Sequence, residues 1–303
     1  MTEKTIAQAV EAFIKARRAD GRAPRTIKDY HRVLDPFADW CGERGIVLAG
    51  LDRDAVREYA GLLHRQNWAD NTVSIHIRAL RAFLNWLFRE GLTTENLASC
   101  IKPPRTSRRM EEPLTGEEIR ALLSVCNGDP FASRDRALIL LLADTGLRLG
   151  ELLRLKRADV HFSEDGSSAY LLVYAPKTRS YRFVFLSSPS TQALREYLED
   201  ARDGNSLWIG RLGKLTESGI RGILRRRARQ AGLDPHRVHP HAFRKFFATS
   251  WIRNGGDTLR LQQIGGWASP KMLEVYVLLA QKQDLQEAHG RFSPVNKILG
   301  NSN

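Results

Sequence analysis

Three short segments and one lysine carry side chains suited to work on a phosphodiester. The first is TGLRLGEL, residues 145–152. Gly146 permits a tight turn, and Arg148 follows it at a helix start, where free backbone N–H groups favour an anion. Glu151 lies three residues on, so it shares a helical face with Arg148. The second is HAFRKFFAT, residues 241–249, with His241 and Arg244 three apart on one face and Phe243, Phe246 and Phe247 for the buried side. The third is GGWASPKMLEVY, residues 265–276. There Gly265-Gly266 allows close backbone approach, and Tyr276 stands nine residues after Trp267, near the end of a helix. Lys177 sits between two β-rich runs. Alone, these read as a surface ion pair, a helix with a polar edge and a half-buried tyrosine. Together they supply what metal-free phosphodiester cleavage requires. Arginines neutralise the non-bridging oxygens as charge grows on them. A tyrosine hydroxyl attacks and forms a covalent intermediate. A general acid protonates the departing 5′ oxygen, and Lys177 on a hairpin can reach it.

Other familiar chemistries are missing from the sequence. It has no GxxxxGK[ST] loop, no GxGxxG, no HExxH and no GxSxG. His236, His239 and His241 match no standard metal spacing, and Pro240 separates two of them. No metal and no cofactor are expected.

These groups need a scaffold, and the spacing predicts a mainly helical one. Residues 1–103 read as all-helical. Thr5 and Gln8 form a capping-box pair ahead of Val10, Phe13 and Ile14, and Gly21 and Pro24 end that stretch. Ile27, Tyr30, Leu34, Phe37 and Trp40 follow helical spacing. Asp52 can cap a third helix, and a fourth runs from about Thr72 to a stop at Gly91. Pro103-Pro104 break the chain, and the polar segment through residue 112 reads as a linker whose Arg105, Arg108 and Arg109 can track a phosphate backbone. From residue 113 the pattern is mixed. Thr115 and Glu118 form a second capping box, a helix covers residues 133–143, and runs 170–174 and 181–185 suggest a short hairpin. Residues 113–292 form a second domain and 293–303 a tail.

Composition narrows the partner. The chain has 303 residues and 47 Lys+Arg against 34 Asp+Glu, a net charge of +13. Only 11 of the basic residues are lysine; arginine, the better bidentate phosphate ligand, supplies the other 36. Such a balance favours nucleic acid. Residues 113–303 carry net +9 and residues 1–103 only +3. The densest basic run, Arg221, Arg225, Arg226, Arg227 and Arg229, is expected to contact DNA, as is the helix start around Arg22, Arg25, Thr26 and Lys28. The longest apolar run is seven residues, too short to span a bilayer. Three scattered cysteines with no CxxC, and no signal-peptide pattern, fit a reducing cytoplasm.

The ordered set Arg148, Lys177, His241-x-x-Arg244, Trp267 and Tyr276 resembles the tyrosine recombinase (phage integrase) family, over nearly the whole chain. The resemblance implies a helical core-binding bundle (1–103) followed by a mixed α/β catalytic domain. It implies that Arg148 and Arg244 clamp the scissile phosphate and that Lys177 protonates the 5′ oxygen. His241 assists proton transfer, Glu151 supports the arrangement, and Tyr276 becomes a 3′-phosphotyrosine. It also implies double-stranded DNA sites as partner, a homotetramer on two sites, a tail at residues 293–299 that docks into a neighbouring protomer, and use of accessory DNA-bending or directionality proteins by some members.

Three positions depart from the commonest pattern. Trp267 stands where many members have histidine, Lys245 where many have a second histidine, and Phe185 where a proline ends the hairpin. The first two differences weaken a match to the Xer-like dimer resolvases, and no extra N-terminal domain of the kind that binds arm sites in many phage integrases is expected. That leaves a simple two-domain recombinase of a phage, transposon or plasmid, with an Xer-like dimer resolvase as the alternative. The rivals from other classes are a non-catalytic DNA-binding regulator on the same fold and a type IB topoisomerase.

Overall fold

A computed structural model describes residues 4–105, 111–176, 179–201 and 204–295. Lys177, Arg108, Arg109 and residues 296–299 lie outside the described residues. The chain divides into two compact units, Met1–Arg109 and Met110–Asn303.

The first unit is a bundle of α1 (Ile6–Ala19), α2 (Pro24–Glu43), α3 (Arg53–Arg65) and α4 (Asp70–Arg89). Its helix starts are written in the sequence. The Thr5 hydroxyl accepts from the Gln8 N–H at 3.2 Å while the Gln8 side chain accepts from the Thr5 N–H at 3.0 Å. Asp52 accepts from the Ala55 N–H at 2.8 Å. Pro24 opens α2, where a missing N–H costs nothing. The fourth helix starts at Asp70, two residues before the expected Thr72, and Gly91 follows it at φ +68°. Phe13 fixes the core, meeting Tyr30, Phe83 and Trp86 edge-on at 5.0, 5.6 and 5.6 Å.

The second unit starts with α5 (Gly116–Ser124), capped by the Thr115–Glu118 box. Helix α6 (Ala132–Thr145) is buried almost all round through Ala137, Leu138, Ile139, Leu141 and Leu142. The one-turn α7 (Leu149–Leu152) follows. An antiparallel sheet then runs in the order β1 (Val160–Phe162), β2 (Ala169–Ala175), β3 (Ser180–Leu186), with Leu171 facing Val184 and Tyr174 facing Tyr181 across the β2–β3 pair. Helix α8 (Ser188–Asp200), the small pair β4 (Ile209–Gly210) and β5 (Gly213–Lys214), and α9 (Glu217–Gln230) complete the main core. Helices α10 (Pro240–Arg253), α11 (Thr258–Gly265) and α12 (Glu274–Phe292) add a smaller cluster of Phe247, Ala248, Leu261, Trp267, Leu273 and Tyr276.

One feature of this core overturns an expectation. Arg227 is 1% exposed and cannot line DNA. Its guanidinium donates to Asp135 at 2.9 Å, to Asp129 at 2.6 Å and to the Val125 carbonyl at 2.8 Å. Fully buried Asp135 also accepts two bonds from buried Arg134, at 3.0 and 2.7 Å, and one from Arg226 at 2.6 Å. Two carboxylates thus match two buried arginines, which is how an interior tolerates charge. Arg226 is half-exposed and tied to this network, while Arg221 and Arg225 remain exposed on α9. Helical periodicity explains the split: Arg227 falls on the face of Ile220, Ile223 and Leu224.

Candidate active site

Three consecutive carbonyls gather three arginines. Helix α11 ends at Gly265, and Gly266 turns the chain in the left-handed region at φ +66°. The last carbonyls of a helix lack intrahelical donors and carry the negative end of its dipole. The Ile264 carbonyl accepts from Arg182 Nε at 2.8 Å, Gly265 from Arg244 Nη2 at 2.8 Å, and Gly266 from Arg148 Nη2 at 2.6 Å. Gly265 is required by packing: a Cβ there would fall 1.7 Å from the Trp267 ring.

Arg148 sits at the entry to α7, and its own N–H donates to Glu151 Oε2 at 3.0 Å. Its Nη1 donates to Glu151 Oε1 at 3.0 Å, and 42% of the side chain stays exposed. Glu151 is 4% exposed and takes two further bonds from Arg182, at 3.1 and 2.8 Å. Four donors fill the roughly four lone-pair positions of a carboxylate. Burial raises the Glu151 pKa, but the Arg182 and Arg148 contacts outweigh it and hold the carboxyl below its ordinary value. Glu151 is therefore an ionised strut with no lone pair open to a proton.

Arg244 projects from α10 and is 4% exposed. Besides Gly265 it donates to the Gly146 carbonyl at 2.6 Å. Gly146 closes α6 at φ +57°, and a Cβ there would meet the Phe247 ring at 2.6 Å. The guanidinium carbon lies 3.7 Å over the Trp267 ring. Both Arg244 bonds go to neutral carbonyls. Burial and then the like charge of Arg148 pull its pKa down to about 9, against partial offsets from Tyr276 and Glu151. Among the described residues the site holds one carboxylate against Arg148, Arg182 and Arg244, so a bound anion would balance it.

Tyr276 is 6% exposed and meets Trp267 edge-on at 5.6 Å. It lies in the first turn of α12, at that helix's N-terminal end. His239 caps α10, its Nδ1 accepting from the Ala242 N–H at 3.2 Å, and exposed His241 follows two residues later. Desolvation of the ring is the first cause that lowers both imidazole pKa values, more simply for half-buried His239 than for His241, which keeps an exposed surface, and Lys245 adds to it. Lys245 itself pairs with Glu111 at 2.6 Å.

The structure thus brings together Arg148, Glu151, Arg244, Trp267 and Tyr276, with His241 one helical turn before Arg244. Arg105 and Arg25 are exposed away from this cluster in the chain, the latter 3.5 Å from Asp29. Sequence reading missed Arg182. The signal was available: in β3, positions 182, 184 and 186 alternate inward, so an arginine stands in line with buried Val184 and Leu186. Among the described residues no group of three or more His, Cys, Asp or Glu is placed to hold a metal, and no helix is long and apolar enough to cross a membrane.

Residues 112–283 match the phage integrase family, and residues 10–94 match the phage integrase N-terminal SAM-like domain. The tyrosine recombinase XerD of Xanthomonas campestris pv. campestris is 31% identical over 95% of this chain and 92% of its own length. The tyrosine recombinase XerC of Halalkalibacterium halodurans is 33% identical over 89% of this chain and 92% of its own. The crystal structure of the XerH site-specific recombinase in a post-cleavage complex with its palindromic difH substrate has the same fold. Its TM-score is 0.75 at 20% identity, covering 94% of this chain and 84% of that one.

Proposed function

We propose, from the premise that this chain belongs to the phage integrase family of tyrosine recombinases, that it cleaves and rejoins double-stranded DNA through Tyr276. The observation that carries the reading is Arg244, a buried cation bonded, among the described residues, only to carbonyls, beside Arg148, Trp267 and Tyr276. Arg148 and Arg244 clamp the non-bridging oxygens of the scissile phosphate. Tyr276 Oη attacks phosphorus, a Tyr–O–P bond forms, and the P–O5′ bond breaks. His241 takes part in moving the phenolic proton, and Lys177 gives the 5′ oxygen its proton. Trp267 packs against Arg244 and Tyr276 and fixes their mutual position. A 5′ hydroxyl from a second strand then attacks the 3′-phosphotyrosine and releases Tyr276. The bond energy is conserved, so neither ATP nor a metal is needed. The partners are two DNA sites bridged by a homotetramer; some members of the family also use an accessory DNA-bending or directionality protein.

The departures Trp267 and Lys245 favour the recombinase of a mobile element, acting in the cytoplasm. A second reading, an Xer-like dimer resolvase, is favoured by full-length likeness to XerC and XerD proteins. Covalent trapping tests the shared chemistry. Nicked suicide duplexes from the chain's own genomic neighbourhood should give a denaturation-resistant adduct with wild-type protein and none with Tyr276→Phe. Tight DNA binding without an adduct would move the assignment to a DNA-binding regulator. Relaxation of a plasmid lacking any site would favour a topoisomerase.

A further inference from the structure

We propose that Arg182 is a positioning residue for cleavage, holding Arg148 in its phosphate-facing pose through Glu151 and tying β3 to the end of α11; this rests on the recombinase reading above. The geometry is a three-way lock. Arg182 Nη1 and Nη2 take one oxygen each of the Glu151 carboxylate, at 3.1 and 2.8 Å, while Nε holds the Ile264 carbonyl at 2.8 Å. Only a planar fork spans both oxygens and a carbonyl together; an ammonium is a single point of charge. The side chain is 13% exposed, and its charge is matched by Glu151, so it contributes little to an incoming anion.

The lock acts on residues that would touch DNA. Arg148 leans on two supports, Glu151 Oε1 and the Gly266 carbonyl. Arg182 fixes both, the first directly through Nη1 and the second by anchoring the same carbonyl run two residues earlier. The run also includes the Gly265 carbonyl that holds Arg244. The Gly266 backbone lies against this guanidinium, since a Cβ there would be 3.0 Å from Arg182 Cζ. Arg182 also lies on the strand that follows Lys177, five residues on. One side chain thus links β3 with the helix end that racks both clamp arginines.

The test uses full-length protein and the nicked suicide duplexes, with single-turnover adduct formation and DNA affinity as separate readouts. Arg182→Met should slow adduct formation by about 10²-fold, the scale for a misplacement of about 1 Å. DNA affinity should stay within about twofold. Arg182→Lys keeps charge and stem but not the fork, and should regain less than the full rate. In Arg182→Met the acid limb of the pH–rate profile should move to higher pH, because Glu151 loses the partner that keeps it ionised. Added to Glu151→Gln, the same change should cost little more than Glu151→Gln alone, since both act through one strut. Wild-type rates in Arg182→Met or Arg182→Lys would overturn the proposal. So would a loss of DNA affinity equal to the loss of rate, or full additivity with Glu151→Gln. Should Arg182→Met melt below the assay temperature, the Arg182→Lys rate decides. A wild-type protein that forms no adduct would overturn the recombinase reading itself; a wild-type adduct with unaffected variants would overturn only the role of Arg182.

Discussion

Arg227 and Arg244 are buried almost equally, 1% and 4% exposed, yet their surroundings differ in kind. Arg227 lies between Asp129 and Asp135. Burial alone would lower its pKa, but those carboxylates outweigh it and raise the pKa above the ordinary value. Among the described residues Arg244 has only the carbonyls of Gly146 and Gly265 and the face of Trp267. Its pKa is pulled down to about 9, burial being the first cause. A buried cation whose charge is matched within the fold is structural. A buried cation held only by dipoles is oriented but still open to an anion. Desolvation that costs stability in the free protein is the condition under which a phosphate contact is strongest.

The contrast can be broken by exchanging the consequences of losing each arginine. Arg227→Ala should cost about 3–5 kcal/mol of unfolding free energy, because Asp129 and Asp135 lose a buried partner. Urea unfolding measures it. A fully stable Arg227→Ala with weakened DNA binding would restore the DNA role expected from the sequence. Arg244→Ala should slow single-turnover adduct formation by on the order of 10²–10³-fold while leaving DNA bound. An unchanged rate would remove the clamp from the mechanism.

Acid conditions sharpen the comparison on the side of the active site. His239 and His241 are held below their ordinary value, first by burial. Between those lowered values and about pH 6.5 the unfolded chain binds more protons than the folded one. Their contribution to stability is full above about pH 6.5 and is lost as pH falls through the folded values. A melting series from about pH 5 to 8 reads this, and a melting temperature that climbs on acidification would contradict it. The smallest effect belongs to the exposed residues of α9. Arg221→Ala or Arg225→Ala should each reduce the slope of log affinity against log salt by about one if it contacts phosphate. An unchanged slope would mark that arginine as a solvated charge.

Much of this arrangement was legible in the sequence, for identifiable reasons. The Thr5–Gln8 and Thr115–Glu118 boxes are local devices, and both form as their spacing predicts. Arg148 and Glu151, like His241 and Arg244, lie within one helical turn of each other, so spacing alone predicted their proximity. What was hidden depends on contacts distant in sequence. The partners of Arg227 lie 92 and 98 residues away, so a run of arginines on α9 gave no sign that one of them turns inward. The rack of carbonyls from Ile264 to Gly266 needs Arg148, Arg182 and Arg244 from three separate elements. Backbone acceptors leave no trace in side-chain identity. The glycine pair did leave one, because only glycine at 265 lets Trp267 fold back onto Arg244.

The most direct measurement is to map the covalent bond. Adduct formed on a nicked duplex would be digested by nuclease and protease, and the peptide carrying the nucleotide remnant sequenced by mass spectrometry. The expected result is a remnant on Tyr276 and no modified peptide from Tyr276→Phe. A remnant on Tyr174 or Tyr181, the exposed tyrosines facing each other across β2 and β3, with Tyr276→Phe still active, would contradict the site built here.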